Sequence, residues 1–210
     1  MRVSRKNNRE SGNAVLEFAL VAMPTVLLLL GVVVVGINLG RAIEVGQICR
    51  DADSMYVRGV DFSQTAAQNL LVQLGQNMNL QTGSSSSGLI ILSQVQYVPT
   101  PIGCSGSACT GGSYQLAQRL TIGNTGLTGT HFPTAGSIPA CGGSTTTNCQ
   151  DSEGNIEGYE TFANAQITNF GSSLTLNNNS ISYVSEAYFQ NAANLNVWSS
   201  SAGFYAQAFF

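Results

Sequence analysis

Residues 14–37 read AVLEFALVAMPTVLLLLGVVVVGI, a run of 24 residues in which Glu17 is the single charge. At about 1.5 Å rise per residue such a helix extends roughly 36 Å, enough to cross a hydrocarbon core about 30 Å thick with some tilt. A core helix of a water-soluble protein of this length would carry a polar stripe, and none lies between Phe18 and Val35. The stretch therefore predicts a membrane-spanning helix. A cleavable secretory signal is the competing reading. Its apolar region normally runs about 7–15 residues to an A-x-A-like site, whereas this one passes directly into Asn38-Leu39-Gly40-Arg41. A signal-anchor is the better description.

The charges outside the span are few and uneven. Only 9% of the 210 residues are charged, against about 25% in an ordinary soluble domain, while the hydrophobic share of 43% is near normal. The solvent-facing surface must then be built from Ser, Thr, Asn, Gln and Gly. Up to Arg58 the chain carries a net +2; beyond it Arg119 is the only basic residue and the net charge is −5. Arg2, Arg5, Lys6 and Arg9 precede the span, and Arg41, Arg50 and Arg58 follow it. That modest excess predicts an inside N-terminus and an outside C-terminal part. Eight basic residues against eleven acidic ones argue against a nucleic-acid partner, which requires a basic patch to displace counterions.

Beyond the span, Leu39, Ala42/Ile43, Ile48/Cys49, Ala52 and Met55/Tyr56 recur at three- and four-residue steps, so the helix is expected to continue toward Arg58. Ser63 reads as the N-cap of a second amphipathic helix carrying Ala67, Leu70, Leu71, Leu74 and Met78. GSSSSG at 83–88 is a flexible connection. Strands are expected at Leu89–Val98, Tyr114–Ile122, Ile181–Gln190 and Gly203–Phe210, with Tyr114, Leu116, Leu120 and Ile122 on one face of the second. Residues 123–158 form a glycine-rich surface excursion, and 164–170 is ambiguous. The expected fold class is α+β. A leader (1–12) precedes a transmembrane helix (13–38) that continues into a helical stem (39–82), followed by a small antiparallel-sheet head (83–210).

Five cysteines fit an oxidising compartment. Cys104 and Cys109 flank SGSA, and Cys141 and Cys149 flank GGSTTTN; neither spacing is a C-x-x-C redox or zinc pair. Two local disulfides are the simplest pairing, and 104–141 with 109–149 remains an alternative. Cys49, on the helix, reads as a small packed apolar residue.

The junction of leader and span reads Arg9-Glu10-Ser11-Gly12-Asn13-Ala14-Val15-Leu16-Glu17-Phe18. A basic leader ends in Gly12, and a lone glutamate follows five residues later inside the apolar run. This resembles the cleavage motif of type IV prepilins and their Tad-type relatives. The segments Gly36-Ile37-Asn38-Leu39-Gly40-Arg41, Cys49-Arg50-Asp51-Ala52 and Tyr183-Val184-Ser185-Glu186-Ala187-Tyr188 are similar to TadE-like proteins, minor pseudopilins of the tight-adherence (Flp) pilus system. The resemblance is good over residues 9–58 and weak beyond. It implies a bacterial cytoplasmic-membrane protein cut by a prepilin peptidase between Gly12 and Asn13. Glu17 would set axial register among pilin subunits, and Phe18 stands where the Tad branch carries an aromatic. The implied work is assembly of a pilus or a related secretion machine, with the bilayer, the peptidase and other pilin subunits as partners.

Plainer readings stand beside these. Gly12 is also compatible with a turn before the span, and Glu17 with an interfacial charge. Pro24 reads as a tolerated kink, and Gly36-x-x-x-Gly40 as a pattern common by chance. The acidic loop at 151–157 alternates oxygen ligands but lacks EF-hand spacing, so it reads as a solvated loop rather than a calcium site. His131 is the only histidine, and no G-x-S-x-G elbow occurs; no catalytic set can be assembled and an enzyme is not expected, nor any cofactor. A different class of function is an uncleaved, membrane-anchored adhesin or binding protein.

Overall fold

The computed structural model describes residues 9–99, 112–127, 138–142, 148–167, 175–190 and 203–210. The expected α+β architecture is present: a long apolar helix, then a second helix, then an antiparallel sheet. Helix α1 runs unbroken from Arg9 to Val57. Its first turn includes the last residues of the expected leader, so the Gly12–Asn13 peptide lies in helical backbone. Pro24 is inside the helix, and the Thr25 hydroxyl donates to the Val21 carbonyl at 2.8 Å, keeping that hydroxyl satisfied within the turn.

The chain divides into two compact units, residues 1–40 and 41–210. In the first, α1 is lined all round by exposed apolar side chains, Leu16, Phe18, Met23, Leu28 and Val32 among them. A helix apolar on every side is suited to lipid.

In the second unit the remainder of α1 meets a five-stranded sheet. The strands are β1 (Gly88–Val98), β2 (Ser113–Gly123), β3 (Gln166–Ile167), β4 (Ile181–Phe189) and β5 (Phe204–Phe209). Their order is β3-β2-β1-β4-β5, with every neighbouring pair antiparallel. Val45, Ile48, Cys49, Ala52 and Tyr56 of α1 form one buried cluster with Ile90, Leu92, Leu120, Ile122, Ala187 and Phe189. From Ile48 to Tyr56 this is the stripe expected from the sequence, but it begins at Val45, which that reading passed over, while Leu39, Ala42 and Ile43 are exposed.

Helix α2 (Thr65–Leu74) adds Ala67 and Leu71 to that cluster. Its N-cap is Gln64 rather than Ser63 and makes no side-chain cap bond. Asp61 is the reason: its Oδ1 accepts both the Ser63 amide (2.9 Å) and the Ser63 hydroxyl (2.6 Å), so that hydroxyl is spent one residue early. Met78 is not on α2; Gly75 ends the helix and Met78 lies in a 3-10 turn, Gln76–Met78.

The expectation for β2 needs a larger correction. Gln94 pairs with Gln118, but Val95 pairs with Leu116, which leaves Ala117 as a bulge. The extra residue reverses the alternation. Leu120 and Ile122 face α1, whereas Leu116, flanked by Tyr114, packs on the opposite face with Val95, Ile156, Ala165, Ile167 and Val184. Both faces of the sheet are therefore covered in part. The segment 150–156 is fastened along β2: the Ile156 amide donates to the Ala117 carbonyl (2.9 Å), the Arg119 amide to the Gly154 carbonyl (2.9 Å), and Gln150 Nε2 to the Arg119 carbonyl (2.6 Å). The ambiguous 164–170 stretch supplies a 3-10 turn and the two residues of β3; 168–170 lie outside the described residues.

Gly123 closes β2 at φ +109°, and a Cβ there would lie 2.3 Å from the Gly88 carbonyl oxygen. Backbone cannot yield as a side chain can. Gly123→Ala is expected to destabilise the sheet unit by about 2 kcal/mol or more, read as a lowered thermal midpoint of the full chain in detergent. An unchanged midpoint would contradict this β1–β2 closure.

Candidate functional site

The residues singled out in the sequence lie in separate parts of the chain. Glu17 and Phe18 are both exposed on α1, within the apolar segment, four and five residues after Asn13 in the same helix. The apolar helix qualifies as a membrane span by length and composition. Cys104, Cys109 and His131 lie outside the described residues.

Cys141 and Cys149 form a disulfide, with Cα atoms 5.0 Å apart. That excludes the crossed pairing of the cysteines. A backbone bridge from the Cys141 amide to the Gln150 carbonyl (2.9 Å) and from the Gln150 amide to the Pro139 carbonyl (2.8 Å) runs alongside it. A carboxylate oxygen of Glu157 lies within 4.8 Å of both sulfurs, but sulfurs joined to one another are not thiolate ligands. The acidic loop is likewise engaged with itself. Asp151 Oδ1 accepts the Glu153 and Asn155 amides, and its Oδ2 accepts Asn155 Nδ2. Asp151 therefore shapes the turn, and the solvated-loop reading accounts for it.

Cys49 is buried, as expected of a packed residue. Its sulfur is more than apolar filler, lying 3.1 Å from Ser185 Oγ and 3.3 Å from the Ser185 carbonyl. Ser185 Oγ in turn donates to the Cys49 carbonyl at 2.8 Å. This reciprocal pair ties α1 to β4. Burial pushes the thiol up to about 11, partly offset by its bond to Ser185, so it is inert at neutral pH.

One turn further along α1 is a residue that sequence reasoning passed over. Asp53 is fully buried, and neither carboxylate oxygen has a hydrogen-bond partner among the described residues. The i, i+4 step from Cys49 was a signal that it lies on the packed stripe, but its charge made it look like surface. Tyr56, next along the stripe, donates to Gln118 Oε1 at 2.6 Å and meets the Tyr183 ring edge-on, centroids 5.2 Å apart. Burial, with the charges of Tyr183 and Asp53 nearby, raises its phenol above the ordinary value. On the other face of the sheet, Arg119, the head's sole basic residue, is held against the charge of Glu186, whose Oε1 accepts the Tyr205 hydroxyl at 2.7 Å.

Comparison with protein-family models, with curated proteins and with solved structures finds no match to this chain. The class defined by its own features is a membrane-anchored protein. A single apolar helix near the N-terminus is long enough to span a bilayer, and it is followed by a disulfide-containing antiparallel-sheet domain.

Burial pushes the Asp53 carboxyl up to about 7, from an ordinary value near 3.9. Since the folded-state value is the higher, the folded chain holds the extra proton between about pH 4 and 7. The associated stability is complete below about pH 4 and is lost as pH rises through 7. Cys49 and Tyr56 on the same helix and Tyr183 from β4 are the titratable groups nearby, and Glu186 acts on Cys49 from β4. Asp53→Asn is expected to flatten this slope and to raise the thermal midpoint at pH 8 by about 5 °C or more. Thermal unfolding across pH 4–8 checks it; an unchanged slope would assign the pH dependence to another group.

Proposed function

We propose that this chain is a pilin-like structural subunit, similar to the TadE-like pseudopilins, that takes part in assembling a pilus or a related secretion machine. The observation that carries this reading is the double use of α1. Its first part is apolar on all sides, as a span is, and from Val45 to Tyr56 the same unbroken helix becomes the packed spine of a sheet domain. Gly12 and Glu17 at the entrance to the span supply the processing and register elements such a subunit needs. The N-terminus would lie on the cytoplasmic side of a bacterial inner membrane and the sheet domain outside, where the Cys141–Cys149 disulfide is chemically at home.

Processing exposes the bond between Gly12 and Asn13 to a membrane peptidase. Because that bond lies in the first turns of α1, the helix must unwind locally to present an extended strand to the enzyme. Glycine lowers the cost of unwinding relative to any residue with a side chain. The new α-amino group of Asn13, mostly protonated near neutral pH, then lies one turn from Glu17. In low dielectric a pair of this kind is strong and an unpaired charge costly. Helices that pack side by side with amine against carboxylate are thereby selected for one axial register. Phe18, pointing outward beside it, adds apolar contact at the same level.

Intact mass of the protein from native membranes is expected to lack residues 1–12. Retention of those residues overturns the processing step and favours an uncleaved membrane-anchored binding protein. Glu17→Ala is expected to leave insertion, cleavage and the disulfide intact while reducing co-purification with other pilin subunits about tenfold or more. Co-purification at the wild-type level would leave Glu17 as an interfacial charge only.

A further inference from the structure

Helix α1 ends at Val57 before the sheet does, and the turn at Gly59 (φ +83°) sends the chain aside. Beyond Leu92 and Leu120 the same face of the sheet is met by Tyr56, from the last turn of α1. What the face presents there is polar. Gln94 of β1 stands opposite Gln118 of β2, with Tyr183 of β4, the residue paired to Gln94 on the other side, completing the row. The turn after α1, with Asp61, walls one side, and Glu153 and Asn155 from the loop fastened to β2 wall the other. Together they bound a cavity of about 300 Å³, at the lower end of the roughly 300–1,000 Å³ usual for small-molecule sites.

The chemistry of this cleft selects its ligand. Its lining sets the Gln94 and Gln118 amides and the Tyr183 ring beside the apolar Val60, Phe62 and Leu120, so a wholly apolar ligand would strip the amides of water without replacing their hydrogen bonds. Its rim carries the carboxylates of Asp61 and Glu153 and no basic residue, so phosphates and carboxylates are repelled. The Gln118 amide is fixed in place: its Oε1 accepts the Tyr56 hydroxyl (2.6 Å) and its Nε2 donates to the Glu153 carbonyl (2.9 Å). That pins Tyr56 and the loop as walls. The Gln94 amide has no hydrogen-bond partner among the described residues, and it offers one acceptor and two donors. A lining that both donates and accepts, beside the Tyr183 ring, matches a compact ring bearing several hydroxyls and an apolar C–H face.

We propose that this cleft binds an uncharged saccharide unit, with Gln94 as the principal hydrogen-bonding contact and the half-buried Tyr183 ring as its apolar wall. The site is independent of how the N-terminus is processed, so its test does not depend on the assembly reading.

The test uses the full chain in lipid nanodiscs, which avoids sugar-based detergents. Saturation-transfer NMR is recorded with methyl glycosides of glucose, galactose, mannose and N-acetylglucosamine and with their disaccharides. Spermidine and inorganic phosphate serve as cationic and anionic probes. At least one glycoside is expected to bind saturably, Gln94→Ala to weaken it about fivefold or more, and the cavity-filling Gln94→Trp to abolish it. Both variants should keep the wild-type thermal midpoint, and Gln94→Ala alone suffices if the larger substitution fails to fold. Binding of no glycoside overturns the proposal, as does binding of spermidine or phosphate alone, or glycoside binding unchanged in Gln94→Ala.

Discussion

Val45, Ile48, Cys49, Ala52 and Tyr56 sit on one side of α1, and all are buried in a single cluster with Ile90, Leu92, Leu120, Ile122, Ala187 and Phe189 of the sheet. This contact imposes the constraint that the rest of the chain obeys. One helix has two solvents. Up to about Gly40 its side chains are exposed and apolar, suited to lipid; beyond it they form a one-sided stripe suited to a sheet. The transition is written in the residue types: valine and leucine on every side give way to a helix on which Arg50 and Asp51 are exposed while Ile48, Cys49 and Ala52 beside them are buried. A strand order of β3-β2-β1-β4-β5 puts the strands richest in buried aliphatic residues, β1 and its neighbours, beneath that stripe.

The scarcity of charge in the sheet domain follows a different logic. With one basic residue among the head's strands and loops, acidic groups find few cations, and the structure satisfies them locally. Asp61 accepts two bonds from Ser63, Asp151 three from Glu153 and Asn155, and Glu186 the Tyr205 hydroxyl while facing Arg119. Amide side chains take over much of the remaining work, as where Gln150 and Gln118 stitch the 150–156 segment to β2.

Most of this fold was legible because long periodic segments announce themselves. The end of α1 near Arg58, the four long strands to within a residue or two, and the Cys141–Cys149 loop all followed from local pattern. What stayed hidden depended on partners distant in sequence. The bulge at Ala117 cannot be read from β2 alone, because strict alternation through Tyr114, Leu116, Leu120 and Ile122 is what an unbulged strand would show; the register against Gln94 and Val95 decides it. The shift of the α2 cap from Ser63 to Gln64 likewise reflects competition for one hydroxyl by Asp61. Gly12, Glu17 and Phe18 were singled out in the sequence because a charge in an apolar run stands out. Asp53 and Gln94 were not, since a charge among charges and an amide among amides carry no contrast.

Glu17 and Asp53 make the same helix carry a carboxyl group in each of its two solvents, and the physics offers them different remedies. Asp53 is enclosed by its own chain, with no donor for either oxygen among the described residues; the remedy available is a proton, which is why burial moves its titration toward neutrality. Glu17 is exposed along a helix whose surroundings are not protein of this chain. A carboxyl that its own fold keeps protonated makes stability sensitive to pH. The two halves of α1 thus differ in the setting of their acids as well as of their apolar residues: Asp53 is enclosed by its own chain, whereas Glu17 is exposed.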